Sequence, residues 1–163
     1  MNQFFQALVG RFLAENLPSY TLHEEYRLHN TIVYNPEHNP KNRRPPTPRP
    51  DFVVMDGQRM VAVLDSKYRD LWERDLPRDM LYQLAMYAFL QGENGTATII
   101  YPTISDIARE AHLEIRDFLY GNKKAQVVLR PLNLQTLERL LTPGEQWPYL
   151  KQRETQAHYL VFG

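Results

Sequence analysis

Two apolar runs, Phe52-Val53-Val54-Met55 and Met60 to Leu64, flank the dipeptide Asp56-Gly57. An Asp-Gly pair in that setting is a strong short-range hairpin signal, because the tight turn needs positive φ values that Gly adopts without strain. The second run is almost wholly apolar, as expected of a central strand covered on both faces. The hairpin has a geometric consequence. Asp51 opens its first strand and Asp65 closes its second, so the turn brings both carboxylates to one end of a sheet. Side chains alternate along a strand, so Lys67 shares a face with Asp65, roughly 7 Å further on.

Around this hairpin the pattern predicts alternating helices and strands. Phe5, Leu8, Val9, Phe12 and Leu13 recur at helical spacing over residues 2–15, with Asn2 as the cap and Pro18 past the end. Residues 20–34 are rich in β-formers and read as one strand or two short ones. Six prolines among residues 35–50 rule out a regular element there, so that stretch reads as a long Pro/Arg-rich loop. Residues 77–91 read as a helix, with Pro77 near its first turn and Gly92 after its end. Thr98 to Tyr101 reads as a strand stopped by Pro102. Beyond it, LEIRDF and AQVVLRP read as strands, although residues 104–112 also suit a helical turn. Residues 134–141 read as a short helix closed by Pro143-Gly144, and the tail HYLVF as a last strand. The order predicts an α/β fold around a mixed sheet, as a single domain over 1–163 with a C-terminal extension over 103–163.

Composition narrows the function classes. Nineteen basic and nineteen acidic residues give zero net charge, which argues against a polybasic or acidic tail protein. The absence of cysteine excludes disulfides, thiolate nucleophiles and Cys-type zinc sites. No apolar run approaches a membrane span, and the N-terminus lacks a charged n-region and a cleavage site, so a cytoplasmic protein is expected.

Two converging carboxylates repel unless a cation lies between them. Asp51 and Asp65, with the carbonyl of Ser66, make a hard oxygen set suited to Mg²⁺ or Mn²⁺. A metal-bound water beside Lys67 would be a ready nucleophile for a phosphodiester. Taken alone, a D-x-K at a strand end is more often a solvated turn or a surface ion pair. Gln83 and Tyr87, spaced i, i+4, share a helix face with Asp79, a stripe that either orients the site or simply faces solvent, while Leu84, Ala85 and Ala88 pack on the sheet. Arg43, Arg44 and Arg49 precede Asp51, and Tyr68 and Arg69 follow Lys67; these are candidate contacts to DNA phosphates, and the Arg/Pro loop reads equally well as a solvated, mobile segment. The five histidines show no ligand spacing. Trp72 and Trp147 read as packing residues. No Gly-rich phosphate loop is present, so nucleotide hydrolysis is not expected of this chain.

Pro50-Asp51, Asp65-Ser66-Lys67 and Gln83-Leu84-Ala85-Met86-Tyr87 resemble the P-D, D/E-x-K and Q-x-x-x-Y motifs of RecB-type PD-(D/E)XK nucleases. RPDFVV, VAVLDSKYRDL, LYQLAMYAF and IIYP are similar, in order, to the nuclease domain of McrC, the cleavage subunit of McrBC modified-DNA restriction systems. The resemblance covers residues 2 to about 102, and the remainder loosely. It implies a restriction-endonuclease-like fold, a Mg²⁺-dependent DNA endonuclease in a prokaryotic defence system, and an AAA+ GTPase partner. It gives Asp51 and Asp65 the metal, Lys67 the water and the phosphate charge, and Gln83 and Tyr87 supporting roles. Cutting both strands would call for a homodimer or a partner-driven assembly. The family's first helix usually carries a glutamate where Gln6 stands here, with Glu15, Glu24 and Glu25 as unplaced substitutes. That departure leaves a catalytically weak or inactive DNA- or partner-binding scaffold as the alternative. McrC proteins also carry a motor-engaging region ahead of the nuclease, whereas this sequence opens at the first nuclease helix. The reading therefore expects a free-standing nuclease or a different contact with the partner.

Overall fold

Alternation of apolar side chains across the strands builds the fold. The structure, a computed structural model, describes residues 1–142 and 147–163. Helix α1 (Asn2–Asn16) is followed by strands β1 (Thr21–Glu24), β2 (Phe52–Asp56) and β3 (Arg59–Ser66), helix α2 (Arg78–Phe89) and strand β4 (Gly95–Thr103). Strands β5 (Ala111–Arg116) and β6 (Lys123–Asn133) form a second hairpin, and helices α3 (Leu134–Leu141) and α4 (Trp147–Phe162) follow. Among the described residues six strands make one mixed sheet in the order β1-β2-β3-β4-β6-β5. The β1–β2, β2–β3 and β5–β6 pairs are antiparallel, whereas β4 runs parallel to both β3 and β6. Helix α2 is the crossover that the parallel β3–β4 pair requires.

Phe52, Val54, Ala62, Leu64, Ile100 and Leu132 point to one face of the sheet, where α1, α3 and α4 cover them through Phe5, Val9, Phe12, Leu137 and Leu160. Val53, Val63, Ala97, Ile99 and Val127 point the other way, onto Met80, Leu84, Tyr87 and Ala88 of α2. The central hairpin is therefore covered on both sides, as its apolar run predicts, and each such fully buried aliphatic side chain contributes about 1.5–3 kcal/mol. The mixed sheet flanked by helices agrees with the expected class.

Several local expectations need correction. The tail is not a strand: residues 147–162 form α4, with Ala157, Leu160 and Val161 buried at helical spacing. Residues 20–34 do hold one strand, as read, but it is confined to Thr21–Glu24. The proline-rich loop does hold one turn of 3₁₀ helix, Pro36–His38, capped by the Asn35 side chain at 2.9 Å from the Glu37 N–H. Residues 104–110 contain no helix. Pro102 does not stop β4, which continues to Thr103 and pairs Pro102 with Leu132 of β6. The Ile100 carbonyl faces β3, accepting from Lys67 N–H at 3.0 Å. By strand alternation the missing donor of Pro102 therefore faces the space beyond the end of β3, where no ladder bond is lost. The Pro143-Gly144 closure and the Trp147 side chain lie outside the described residues, while Trp72 is 40% exposed rather than packed.

Candidate active site

The β2–β3 register pairs Phe52 with Leu64 and Val53 with Val63. Continued one step, it sets Asp51 directly opposite Asp65, where cross-strand side chains stand about 5 Å apart. Asp51 is fixed by its neighbour across the hairpin: its Oδ2 accepts the Ser66 backbone N–H at 2.8 Å and the Ser66 hydroxyl at 2.9 Å. Asp65 is largely buried, and the burial, together with the negative charge of Asp51, pushes its carboxyl up to about 8. The two carboxyl groups lie within hydrogen-bonding reach of each other, and Lys67 pulls in the opposite direction. Lys67 itself extends the β3–β4 ladder by one rung through its bond to Ile100. The structure thus brings Asp51, Asp65, Ser66 and Lys67 together at one end of the sheet.

Helix α2 roofs this end. Gln83 Nε2 donates to the Tyr87 hydroxyl at 2.7 Å. Tyr87 is buried, which raises its pKa, and the charges of Asp65 and Asp51 raise it further; its oxygen also lies within reach of the Arg49 backbone amide. The phenol therefore stays protonated and lies beside the residue just before Pro50-Asp51. The predicted polar stripe is only partly exposed: Gln83 and Asp79 face solvent, whereas Tyr87 joins Leu84 and Ala88 in the core.

Helix α1 closes the other side. Asn2 does not cap it; instead its Oδ1 accepts the Tyr68 N–H at 3.1 Å. The Phe5 and Tyr68 rings pack with centroids 5.9 Å apart. Gln6 lies in the same first turns and is half-buried. None of its proposed substitutes joins a cluster. Glu15 pairs with Arg11 at 2.7 Å, Glu25 with Arg49 at 3.6 Å, and Glu24 lies beside Gly10. Among the described residues no group of three or more His, Cys, Asp or Glu side chains gathers around a point. The donor set is therefore two facing carboxylates with nearby backbone oxygens. Facing carboxylates, one of them held protonated by burial and by the charge of the other, suit a hard divalent cation whose shell is completed by water.

The Arg-rich loop carries hydrogen bonds of its own and one to the segment after β1. The Asn39 side chain clamps both the N–H and the carbonyl of Arg43, each at 2.9 Å, and Leu28 N–H donates to the Pro48 carbonyl at 2.9 Å. Arg43 and Arg44 are exposed and have no ion pair among the described residues. Tyr68 and Arg69 are exposed beside Lys67. Three contributions escape sequence reasoning: the Ser66 hydroxyl, the Asn2 tether, and the bond from Thr103 Oγ1 to Asp70 Oδ2 at 2.9 Å. Each joins residues distant in sequence, and no periodicity marks such pairs.

No membrane-spanning helix, by length and apolarity, occurs among the described residues. No curated protein matches the chain. It is similar in fold to a chain of the half-complex from the tetradecameric assembly of Thermococcus gammatolerans McrB AAA+ hexamers with bound McrC. The TM-score is 0.55 at 23% identity, and the match covers 95% of this chain. It spans only 32% of that chain, about a third of its length. The family model for the McrBC 5-methylcytosine restriction system component matches residues 1–102, more than half of the sequence. That stretch holds α1, the hairpin with Asp51, Asp65 and Lys67, and α2 with Gln83 and Tyr87. The chain belongs to the McrBC 5-methylcytosine restriction system component family.

Proposed function

We propose that this chain is the cleavage component of a restriction system, a Mg²⁺- or Mn²⁺-dependent DNA endonuclease with a PD-(D/E)XK fold, working with an McrB-like AAA+ partner. The observation that carries the reading is the facing pair Asp51 and Asp65, with Lys67 on the same strand face. Asp51 and Asp65 would hold the cation, with the Ser66 carbonyl as a further ligand. The cation would supply charge stabilisation at the phosphate and acidify a bound water. Ser66 keeps the Asp51 carboxylate aimed by donating twice to Oδ2. Lys67 brings a positive charge to the developing phosphorane and orients the attacking water. Tyr87, held by Gln83, keeps the Arg49-Pro50-Asp51 segment against the site. Arg43 and Arg44, unpaired among the described residues, offer cations to the DNA backbone on the approach to Asp51, and Arg49 would join them by exchanging its pairing with Glu25. The AAA+ partnership draws on the family and on the assembly that holds the structural relative.

Purified protein should nick supercoiled plasmid in Mg²⁺ or Mn²⁺, and Asp65→Ala should abolish nicking while leaving the circular dichroism spectrum unchanged. Full activity in a folded Asp65→Ala protein would reject the assignment. The second reading, a scaffold that binds DNA or the motor without cutting, draws on Gln6, a neutral amide on the helix that borders the site. It expects DNA binding by the wild type with no nicking in either metal.

A further inference from the structure

Just past Lys67 lies a recess that the roles above leave unused. It has a volume of about 310 Å³ and is lined by Tyr68, Arg69, Asp70, Arg74, Thr103 and Leu134, among others. That is roughly ten times the ~30 Å³ share of one water, and within the lower range of small-molecule sites. Its walls start one to three residues beyond the catalytic positions: Tyr68 and Arg69 follow Lys67, and Thr103 lies three residues past Ile100, whose carbonyl holds Lys67.

The Tyr68 and Asp70 walls are preorganised. Tyr68 is held from behind by Asn2 through its N–H and by the Phe5 ring, tilted 59° to it, and remains 41% exposed. Arg69 is set by a tight bond from its N–H to the Lys67 carbonyl at 2.8 Å. The Arg69 and Arg74 guanidinium groups are exposed and have no ion pair among the described residues. Asp70 is locked at both oxygens, Oδ1 accepting the Trp72 N–H and Oδ2 the Thr103 hydroxyl, each at 2.9 Å.

An exposed aromatic face beside two free guanidinium groups and a fixed carboxylate–hydroxyl pair matches the parts of one nucleotide. We propose that this recess binds a single unpaired nucleotide next to the phosphate that is cut. Its base stacks on Tyr68, its phosphate lies between Arg69 and Arg74, and an exocyclic amine reaches Asp70. Stacking is open to any base, while the carboxylate accepts from an amine that thymine lacks. The inference rests on the nuclease reading for its choice of ligand, and it makes the preferred substrate a strand with a splayed or unpaired nucleotide at the cut.

The test uses a duplex carrying one unpaired 2-aminopurine nucleotide, with binding followed in EDTA so that no cleavage intervenes. Wild type and Tyr68→Phe should quench the 2-aminopurine emission on binding. Tyr68→Ala should bind roughly tenfold more weakly and leave the emission unquenched. Arg74→Ala should lower affinity and flatten the slope of log affinity against log salt by about one. Equal quenching and affinity in a folded Tyr68→Ala protein would overturn the proposal. Should that variant fail to fold, the Arg74→Ala slope decides, and an unchanged slope overturns it. The outcome separates from the nuclease reading. Plasmid nicking without Tyr68-dependent quenching removes the pocket alone, and Tyr68-dependent quenching without nicking removes the nuclease alone.

Discussion

Asp65 is the residue on which the proposed chemistry turns. It sits opposite Asp51, largely buried, and without a cation it keeps a proton up to about pH 8. The ordinary value, 3.8, applies once the chain unfolds. Below about pH 4 both states hold the proton, and the stability this group contributes is fully present. Between about 4 and 8 the unfolded chain ionises while the folded protein does not, so that stability falls as pH rises and is lost through pH 8. In metal-free protein, Asp65→Asn removes this dependence. Its melting temperature should match wild type near pH 4 and exceed it increasingly toward pH 8. A constant difference across that range would show that Asp65 does not carry the buried proton. The same proton must leave when a cation binds, so metal affinity should rise with pH across the same window.

At the scale of elements, the site depends on how closely α2 lies on the sheet. Gly95 opens β4 where a Cβ would come within 2.0 Å of the Ala88 carbonyl oxygen, the backbone of the last turn of α2. Gln91 secures the same junction by donating to the carbonyls of Tyr87 and Thr96 at 3.1 and 2.7 Å. Gly95→Ala should therefore cost at least about 1–3 kcal/mol, as overpacking against rigid backbone does. It should also lower nicking activity by lifting Tyr87 from the Arg49-Asp51 segment. Denaturant titration with a plasmid assay checks both, and wild-type values in both would show that α2 does not set the site. These elements differ in how well they are written in the sequence. The β2–β3 hairpin is legible because its turn pair and apolar runs fix the register, and with it the meeting of Asp51 and Asp65. Helix α2 is legible from its period, but the i, i+4 spacing of Gln83 and Tyr87 does not say which of the two the sheet covers. The tail is misread because HYLVF, five residues long, suits a strand as well as a buried helical turn. The Asn2 tether and the Asp70–Thr103 bond join residues 66 and 33 positions apart, and nothing local announces them.

Over the whole molecule, one sheet separates two hydrophobic layers, and the carboxylates lie at its end between α2 on one side and the start of α1 on the other. Helix α4 supports the α1 layer through Leu160, which is fully buried in the same cluster as Phe5 and Phe52. Leu160→Ala should destabilise the protein by about 2–5 kcal/mol, read as a lowered denaturation midpoint. A loss below about 0.5 kcal/mol, the ordinary range for surface substitutions, would mean that α4 adds little to the core. The central claim is that the Asp51–Asp65 pair forms one cation site, and calorimetric titration of Mn²⁺ into metal-free wild type and Asp65→Ala tests it most directly. The account predicts a saturable single site in wild type, with protons released on binding at pH 7, and no such site in the variant. No saturable binding in wild type, or equal binding in both proteins, would contradict it.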